Sequence, residues 1–337
     1  MLAGILLGPQ RIEIREVESP RPSRGEVLVK IGAALTCGTD IKAYLRGHPM
    51  IPAPGVFGHE FSGIIAEAGK GVRGFKEGDA VMSVHSAPCL KCNFCRKRLF
   101  NLCENIMNSK VLGAFAEYIL LPAHVVKQNL FHKPDGLPYE EAAFLEPLSC
   151  VVHSMADLGI TKGDRALIIG AGPIGLLHLL LSKLKGAEVI ITGLEQEKLA
   201  LARNLGAHMA VAPGELIKAL REFTGGMGVD FVFECTGQVS VWEDSVSYVR
   251  KGGTVILFGG CKSGTTVTYD TYRLHYDEIT LKGVFHFTPG DVKKAYGLLS
   301  GALDVSPLIS GSYKLSELKT PFEKLSRGEG IKYVIIP

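Results

Sequence analysis

The sequence predicts an α/β protein of two domains, one rich in β-strands and one built on a parallel sheet. Chains of 337 residues commonly divide into about two domains. Short alternating runs separated by Gly, Pro and Asp fill the first third of the chain. From about residue 148, apolar strands alternate with helical segments instead, a βαβ rhythm that predicts parallel strands with helices on both faces.

The β-rich region starts with an apolar run at residues 2–7 and an alternating strand at 12–15. Further strands are predicted at 26–31, 61–66, 80–84 and 115–120. In the alternating region the predicted strands are 166–169, 189–191, 231–233 and 255–258, with helices at 173–185 and 196–205. The helix and strands after residue 285, which end in a strand at 331–336, are too few for a separate domain. We expect them to return to the first domain.

Composition excludes several classes of function. A formal charge of +3 is too small to indicate nucleic-acid binding, and the basic cluster at 91–98 is local and typical of a solvated loop. No run approaches the roughly 20 apolar residues of a membrane span, and the N-terminal apolar run lacks a preceding basic region. We therefore expect a cytoplasmic protein. There its eight cysteines are metal ligands, catalytic groups or core residues rather than disulfides.

A glycine fingerprint follows the first strand of the alternating region, reading Gly170-Ala171-Gly172-Pro173-Ile174-Gly175. Gly170 permits a tight turn, Gly172 lets a pyrophosphate approach the backbone, and Gly175 allows close packing of helix on strand. Because the motif lies between a buried strand and a helix, it predicts a dinucleotide site at the helix N-terminus.

The acidic residue expected at the end of the second strand is absent. Gly193 stands there, which removes a charge that would repel the 2′-phosphate of NADP and leaves room for it. No arginine follows to bind that phosphate, and Glu195 is placed to reach the ribose of NAD. The sequence leaves NAD and NADP both open.

Four cysteines lie on one short segment, at residues 89–103, with the spacing C-x₂-C-x₂-C-x₇-C. Four thiolates so close together suit a closed tetrahedral zinc site, which keeps no position open for chemistry. An iron–sulfur cluster is the alternative, since it uses the same ligands. We predict a structural metal site formed by Cys89, Cys92, Cys95 and Cys103.

A second set of metal ligands is separated along the chain. Cys37 lies in Thr36-Cys37-Gly38-Thr39-Asp40, and His59-Glu60 follows later. A thiolate, an imidazole and a carboxylate from separate segments are typical of a catalytic zinc with an exchangeable position. Each residue also has an ordinary interpretation: a core cysteine, a hydrogen-bonded structural histidine and a surface glutamate.

These motifs resemble the zinc-dependent medium-chain dehydrogenases, in the branch of sorbitol and related polyol dehydrogenases. The resemblance covers essentially the whole chain in order. It rests on Cys37-Gly38-Thr39-Asp40, Gly58-His59-Glu60, Gly78-Asp79, the four-cysteine lobe, Gly113-Ala114-Phe115-Ala116-Glu117-Tyr118, Glu146-Pro147-Leu148, the glycine fingerprint and Lys282-Gly283-Val284-Phe285.

The resemblance implies a GroES-like catalytic domain at 1–147 and 285–337 and a Rossmann domain at 148–284. It implies a catalytic zinc held by Cys37 and His59, with Glu60 or water completing the shell. Glu146, where classical alcohol dehydrogenases have a second cysteine, either binds this zinc or holds a water at it. With the structural site, two zinc ions per chain are expected.

The implied reaction is reversible hydride transfer between a secondary alcohol, a polyol, and NAD or NADP. Zinc lowers the pKa of the bound alcohol, and Thr39 accepts its hydrogen bond. Besides the fingerprint, Gly193 and Glu195, the expected cofactor contacts are Lys198, Thr236, Val284 and Phe285. A homodimer or homotetramer is expected, without nucleic-acid or membrane partners.

The sequence departs from the family pattern at three places. Lys42 replaces a histidine that ends the proton relay in many relatives, and His286 replaces an arginine that touches substrate in sorbitol dehydrogenases. The loop between Cys103 and Gly113 is also shorter than in those enzymes. The substrate therefore need not be sorbitol.

Three alternatives to polyol oxidation stay open at this point. One is oxidation of an amino alcohol, as in threonine dehydrogenases, which share the Cys37 motif but usually have Asp in place of Glu146. Another is a nicotinamide sensor that has lost catalysis. Nucleic-acid binding through the four-cysteine loop would need a basic face that the charge does not support. The other cysteines and histidines are interpreted as packing or surface: Cys150, Cys235, Cys261, His85, His124, His132, His153, His178, His208 and His275.

Overall fold

The chain forms two units, of which the first is discontinuous in sequence. Unit 1 contains Met1–Cys150 and His286–Pro337, and unit 2 contains Val151–Phe285. The computed structural model describes residues 1–301 and 303–337, so Ala302, in the segment predicted to return, lies outside the described residues. The predicted limits, after residues 147 and 284, differ from these by a few residues.

The N-terminal part of unit 1 is built on antiparallel strands. They are β1 (Leu2–Gly8), β2 (Arg11–Glu16), β3 (Val27–Leu35), β4 (Gly55–Val56), β5 (Glu60–Ala68), β6 (Ala80–Ser83), β7 (Tyr118–Leu121) and β8 (Leu130–His132). A three-stranded sheet has the order β2-β1-β4. In the larger sheet β3 pairs with β5, and Val29, Ile31, Phe61 and Ile65 join its core. Because the buried residues alternate along each strand, the sequence of this region shows the alternating pattern that predicts β-strands.

The strand predicted at 115–120 begins only at Tyr118. The reason lies in the backbone of Phe115, whose N–H donates to Phe57 O at 3.2 Å and whose C=O accepts from Gly4 N at 2.7 Å. Residues 115 and 116 thus bond to β1 and to the segment before β5 rather than to β3. Such long-range pairing leaves no local pattern in the sequence.

Three helices lie between these strands, α1 (Gly38–Arg46), α2 (Asn93–Arg96) and α3 (Ala123–Asn129), and two follow them, α4 (Tyr139–Ala142) and α5 (Leu145–Ser154). Helix α1 begins at Cys37, whose Sγ accepts a hydrogen bond from Thr39 N at 3.5 Å, and it ends at Gly47. Cys37 is therefore held by its own helix as an N-cap.

Unit 2 alternates strand and helix throughout. Its elements are β9 (Arg165–Ile169), α6 (Pro173–Leu184), β10 (Glu188–Thr192), α7 (Gln196–Asn204), β11 (Met209–Val211), α8 (Leu216–Thr224), β12 (Val229–Glu234), α9 (Val239–Tyr248), β13 (Val249–Leu257), α10 (Thr271–Tyr276) and β14 (Thr280–Gly283). The six parallel strands have the order β11-β10-β9-β12-β13-β14. The order reverses between β9 and β12, where such Rossmann sheets bind ligands. The predicted fold class is confirmed.

The chain then returns to unit 1 through α11 (Pro289–Leu299), β15 (Ile309–Lys314), α12 (Lys319–Ser326) and β16 (Lys332–Ile336). Strand β16 pairs antiparallel with β3, Val334 opposite Leu35, while Leu35 also lies opposite Glu60 of β5. This register brings Lys332 next to Glu60.

Across residues 1–301 and 303–337, no helix has the length and apolar character that crossing a membrane requires.

Candidate active site

The four lobe cysteines converge as predicted. The thiols of Cys89, Cys92, Cys95 and Cys103 all lie within 4.8 Å of one another. Cys92 is the N-cap of the short helix α2, and Cys95 and Cys103 are buried beside Ile106. A backbone hydrogen bond from Lys91 lowers the pKa of Cys89 to about 6, whereas burial raises the pKa of Cys95 to about 12. Four converging thiols fit a tetrahedral zinc ion.

A second convergence is assembled from distant parts of unit 1. Metal-ligating atoms of Cys37, Asp40 and His59 lie within 4.8 Å of one another, as do those of His59, Glu60 and Glu146. Cys37 comes from the start of α1, His59 and Glu60 from the start of β5, and Glu146 from the first turn of α5. His59 belongs to both groups, so the predicted ligands fall into two neighbouring sets that share this residue.

Four contacts involve these side chains. His59 Nδ1 lies 3.5 Å from Asp40 Oδ1, and His85 Nδ1 lies 3.4 Å from Glu146 Oε1. Lys332 donates to Glu60 Oε2 and, at 2.8 Å, to the carbonyl of Thr36. Lys332 and Glu60 are each 1% exposed, which makes theirs a buried ion pair.

The buried charges shift the pKa values of the site. Burial lowers the pKa of His59, but the negative charges of Asp40 and Cys37 outweigh it and hold that pKa well above its usual value. Burial holds the pKa of His85 well below its usual value, so this imidazole is neutral. Burial also raises the pKa of Glu146 to about 7.

Several buried polar atoms of the site have no hydrogen-bond partner among the described residues: both Asp40 oxygens, Glu60 Oε1, His59 Nδ1 and His85 Nδ1. Buried polar groups are normally satisfied, so a cluster of exceptions requires an explanation. A thiol, an imidazole and carboxylates are the ligand types of a catalytic zinc site, and His59 is shared by the two groups found here. The residues present therefore fit a zinc ion.

The other predicted residues lie around this cluster. Thr39 and Lys42, on the first turns of α1, are both half-buried. His286 Nε2 lies 2.7 Å from Ser86 Oγ, and its ring packs edge-on against His85 with centroids 5.2 Å apart. His85 thus contacts both His286 and Glu146.

The sequence interpretation missed residues of this site. His85 was interpreted as packing, although its contact with Glu146 places it beside the metal ligands. Cys150 was interpreted in the same way, yet its Sγ lies 3.8 Å from Glu146 Oε1. Lys332 was not singled out. The place of His85, four residues before the first lobe cysteine, is a weak signal, and Lys332 has none in the sequence.

In unit 2 a cavity of about 570 Å³ opens at the glycine fingerprint. Gly170 has φ +110°, where other residues are strained, and a Cβ on Gly175 would lie 1.9 Å from Gly170 O. A Cβ on Gly172 would meet no atom within 4 Å. The N-terminus of α6 has no side-chain cap, so its N–H groups are available to an anion. The cavity fits the pyrophosphate of a dinucleotide.

The structure shows a packing reason for glycine at position 193. A Cβ there would lie 2.7 Å from the Cβ of Ala171 in the fingerprint turn. Close packing against Ala171 therefore requires glycine here, and Gly193 also lines the cavity. Glu195 and Lys198 both line the cavity and pair at 3.2 Å.

Six of the predicted cofactor residues line this cavity: Gly170, Gly172, Gly193, Glu195, Lys198 and Thr236. Pro173, Ile174 and Gly175 lie in the first turn of α6 instead, and Val284 and Phe285 follow β14 away from the described cavity wall. Cys235, interpreted as packing, and Gln238 and Asp244, not singled out, also line it. A side chain from the loop after β12 carries no local signal of this role.

Comparison with known proteins identifies the family of this chain. Residues 23–134 match the family described as alcohol dehydrogenase GroES-like domain, and residues 173–301 match that of zinc-binding dehydrogenase. A sorbitol dehydrogenase from Halalkalibacterium halodurans is 34% identical, over 98% of this chain and 97% of its own. The chain belongs to the zinc-dependent medium-chain dehydrogenases, in the sorbitol dehydrogenase-like branch.

Two further relatives of this medium-chain dehydrogenase are informative. D-arabitol-phosphate dehydrogenase from Enterococcus avium is 34% identical, over 97% of this chain and 94% of its own. The structure of a zinc-binding dehydrogenase from Sinorhizobium meliloti bound to NADP has a TM-score of 0.89 and 32% identity, covering 100% of this chain and 99% of that one. The protein is thus an NAD(P)-dependent alcohol or polyol oxidoreductase that uses zinc, as predicted.

Proposed function

We propose that this medium-chain dehydrogenase oxidises a secondary alcohol group of a polyol to a ketone, reversibly, at the site built around Cys37, His59 and Glu146. The observation that carries the proposal is the convergence of a thiol, an imidazole and carboxylates in a buried site whose polar atoms lack partners. The names of the relatives include both a neutral and a phosphorylated polyol, so they support a polyol and leave its exact class open.

When bound, zinc supplies the Lewis acidity that lowers the pKa of an alcohol, and the nicotinamide supplies the hydride acceptor. Cys37, His59 and Glu146 would hold the metal. Asp40, whose Oδ1 lies 3.5 Å from His59 Nδ1, would help to orient the imidazole towards the metal. Glu60 is neutralised by Lys332, which makes it a weaker ligand than Glu146, whose neighbour His85 is neutral.

The hydroxyl oxygen of Thr39 would accept a hydrogen bond from the substrate hydroxyl. Thr39 is half-buried and lies two residues from Cys37, on the first turn of α1. Lys42, one turn further along the same helix, would orient water that carries the proton outward. His286 would contact the substrate next to His85.

The cofactor would lie in the cavity of unit 2, with its pyrophosphate at the N-terminus of α6. Lys198 favours the 2′-phosphate of NADP and Glu195 favours the free ribose of NAD. Because the two side chains pair with each other, we propose that the enzyme uses both cofactors.

The four-cysteine lobe would hold a second, structural zinc ion, which gives two zinc ions per chain. An iron–sulfur cluster is the alternative, and metal analysis distinguishes the two. Thiolate ligands require a reducing compartment, which supports a cytoplasmic location. By likeness to the family we propose a homodimer or homotetramer that acts on small molecules, without nucleic-acid or membrane partners.

A substrate screen with metal analysis tests this function. Simple secondary alcohols, polyols and L-threonine are offered with NAD and with NADP, and zinc is counted per chain. We expect polyol turnover with two zinc ions.

Glu146→Gln should lose one zinc and lower kcat more than about a hundredfold, whereas Glu60→Gln should keep both ions. The exposed Glu222→Gln is the matched control. Preference for threonine, or nicotinamide binding without turnover of any alcohol, would overturn the proposal.

A further inference from the structure

A buried carboxylate lies at the end of β12, next to the cofactor cavity of unit 2. Glu234 is the last residue of that strand and is 0% exposed. Its Oε1 accepts hydrogen bonds from Thr236 N at 2.7 Å, from Thr236 Oγ1 at 2.5 Å and from Gly237 N at 3.1 Å. A Cβ on Gly259, which follows β13, would lie 2.7 Å from Glu234 Oε2. Because two loops enclose this carboxylate, it acts on its neighbours rather than on a ligand.

The hydrogen bonds to Glu234 fix the hydroxyl group of Thr236, a residue that lines the cavity. A Cβ on Gly170 would lie 3.2 Å from Thr236 Cγ2, so the methyl group packs against the fingerprint turn. A hydroxyl offers one donor and two acceptor lone pairs. The proton of Thr236 Oγ1 is donated to Glu234, and one lone pair accepts from Gln238 N at 3.2 Å. One lone pair remains, so this hydroxyl is able to accept a hydrogen bond from a ligand but not to donate one.

The described wall of the cavity has no acidic residue at the position where Rossmann domains bind the adenosine ribose. That residue, at the end of the second strand, accepts a hydrogen bond from the ribose 2′-hydroxyl. Here Gly193 follows β10, and Glu195 is paired with Lys198 at 3.2 Å. Strands β10 and β12 both neighbour β9, and Thr236 lines the same cavity as these three residues. The loop after β12 thus offers the ribose another acceptor.

We propose that Thr236 accepts a hydrogen bond from the 2′-hydroxyl of the adenosine ribose, and that Glu234 is the positioning residue that makes Thr236 an acceptor. This inference rests on the proposed cofactor cavity and deepens it. A ribose hydroxyl donates such a bond, whereas the 2′-phosphate dianion of NADP presents only acceptor oxygens. Glu234 and Thr236 therefore favour NAD and oppose Lys198, which favours the 2′-phosphate.

Binding of adenosine fragments tests the ribose contact without any alcohol. AMP, 2′-deoxy-AMP and adenosine 2′,5′-bisphosphate differ only at the 2′ position, and each is used to displace NADH, whose fluorescence is followed. The native protein should bind AMP about fivefold more tightly than 2′-deoxy-AMP, as expected for one hydrogen bond between neutral groups. Thr236→Val should abolish this preference by weakening AMP alone, and Thr236→Ser should retain it. The exposed Glu222→Gln is the matched control.

Glu234→Gln tests the positioning role separately. The glutamine amide carries an NH₂ donor, so the proton of Thr236 Oγ1 is released to point into the cavity. Affinity for adenosine 2′,5′-bisphosphate should rise about threefold relative to AMP, while affinity for 2′-deoxy-AMP and the Tm stay close to the native values. An unchanged ratio, or equal weakening of all three fragments, would contradict a positioning role for Glu234.

Two results would overturn the ribose contact and leave the cofactor cavity intact. One is an equal effect of Thr236→Val on AMP and 2′-deoxy-AMP. The other is loss of the preference in Asp244→Asn, at an exposed carboxylate of the same cavity, but not in Thr236→Val. A protein that binds neither NADH nor AMP would overturn the proposed cofactor cavity and this inference together.

Discussion

The two metal-ligand clusters of unit 1 are built in opposite ways. The lobe takes Cys89, Cys92, Cys95 and Cys103 from one loop, and a short helix and backbone N–H groups place its thiols. The site around Cys37 takes its residues from α1, β5, α5 and β16, and all are nearly or fully buried except Cys37 itself. Local spacing is sufficient for the first, whereas the second exists only when the β3–β5–β16 sheet is formed.

This difference separates their roles. A closed set of four thiols leaves a metal no open position, so its contribution is to stability. The mixed set has a neutral histidine, a glutamate with a pKa raised to about 7 and unpaired oxygens, which are features of a site that handles protons and exchangeable ligands. Five predictions test the comparison.

The largest effect is expected from Cys37→Ser. Serine keeps the N-cap hydrogen bond that starts α1 but removes the thiolate, so helix and fold should persist. We expect kcat/KM to fall at least about a thousandfold, or roughly 4 kcal/mol, with one zinc lost per chain. Circular dichroism and Tm should stay close to the native values. A variant that keeps both activity and zinc would show that Cys37 is only a helix cap.

Cys95→Ser should do the reverse. One ligand of the closed lobe is lost, so the second zinc should dissociate and the Tm should fall by about 10 °C. The residual kcat at low temperature should remain within about tenfold of the native value, since the lobe supplies no reacting group. Kinetics below the new Tm check this. Complete inactivation of a folded variant would contradict a purely structural lobe.

The buried pair of Lys332 and Glu60 links the second cluster to the C-terminal strand. Lys332→Met leaves a carboxylate uncompensated in the core and should cost about 3–5 kcal/mol of unfolding free energy. The double variant with Glu60→Gln should recover most of that loss, because no unpaired charge remains. Denaturant unfolding of native protein, both single variants and the double variant forms a cycle. Additive losses would show that the pair is not coupled.

Unit 2 should show its own pH dependence. His178 is fully buried, Ser154 Oγ lies 2.8 Å from its Nε2, and burial lowers its pKa to about 4. The unfolded chain, with an ordinary histidine pKa near 6.5, binds the proton more tightly. Stability should therefore fall as the pH drops from about 6.5 to 4, by roughly 3 kcal/mol for this residue.

Unfolding measured at several pH values for native protein and His178→Asn isolates this contribution. The variant should lose less stability across that window, whereas the exposed His275→Asn should behave like the native protein. Equal slopes for all three proteins would rule out His178 as the cause.

The smallest effect concerns cofactor choice. Since Glu195 and Lys198 pair at the cavity wall, the native enzyme should discriminate between NAD and NADP by less than about a hundredfold. Glu195→Gln frees Lys198 for the 2′-phosphate and should shift the ratio of kcat/KM about tenfold towards NADP. Lys198→Gln should shift it the other way. If both variants shift the NADP-to-NAD ratio of kcat/KM in the same direction, the adenosine ribose does not bind between Glu195 and Lys198.

The sequence by itself determined the features that depend on residues close together in the chain. The fingerprint from Gly170 to Gly175 identified the strand, the turn and the helix, because Gly170 and Gly175 are required by the backbone of this short segment. The four cysteines identified a metal lobe by spacing alone. The alternation of strands and helices predicted the parallel sheet, since periodicity reports which faces are buried.

Only the tertiary structure decided which distant groups meet. His85 approaches Glu146, and Lys332 reaches Glu60 from the last strand, through pairings between residues that lie far apart in the chain, whereas Cys150 meets Glu146 one turn away within α5. Gly193 is explained by Ala171, a neighbour in space rather than in sequence. Strand register and side-chain contact between separate elements depend on the whole packed core, so no local pattern in this sequence could specify them.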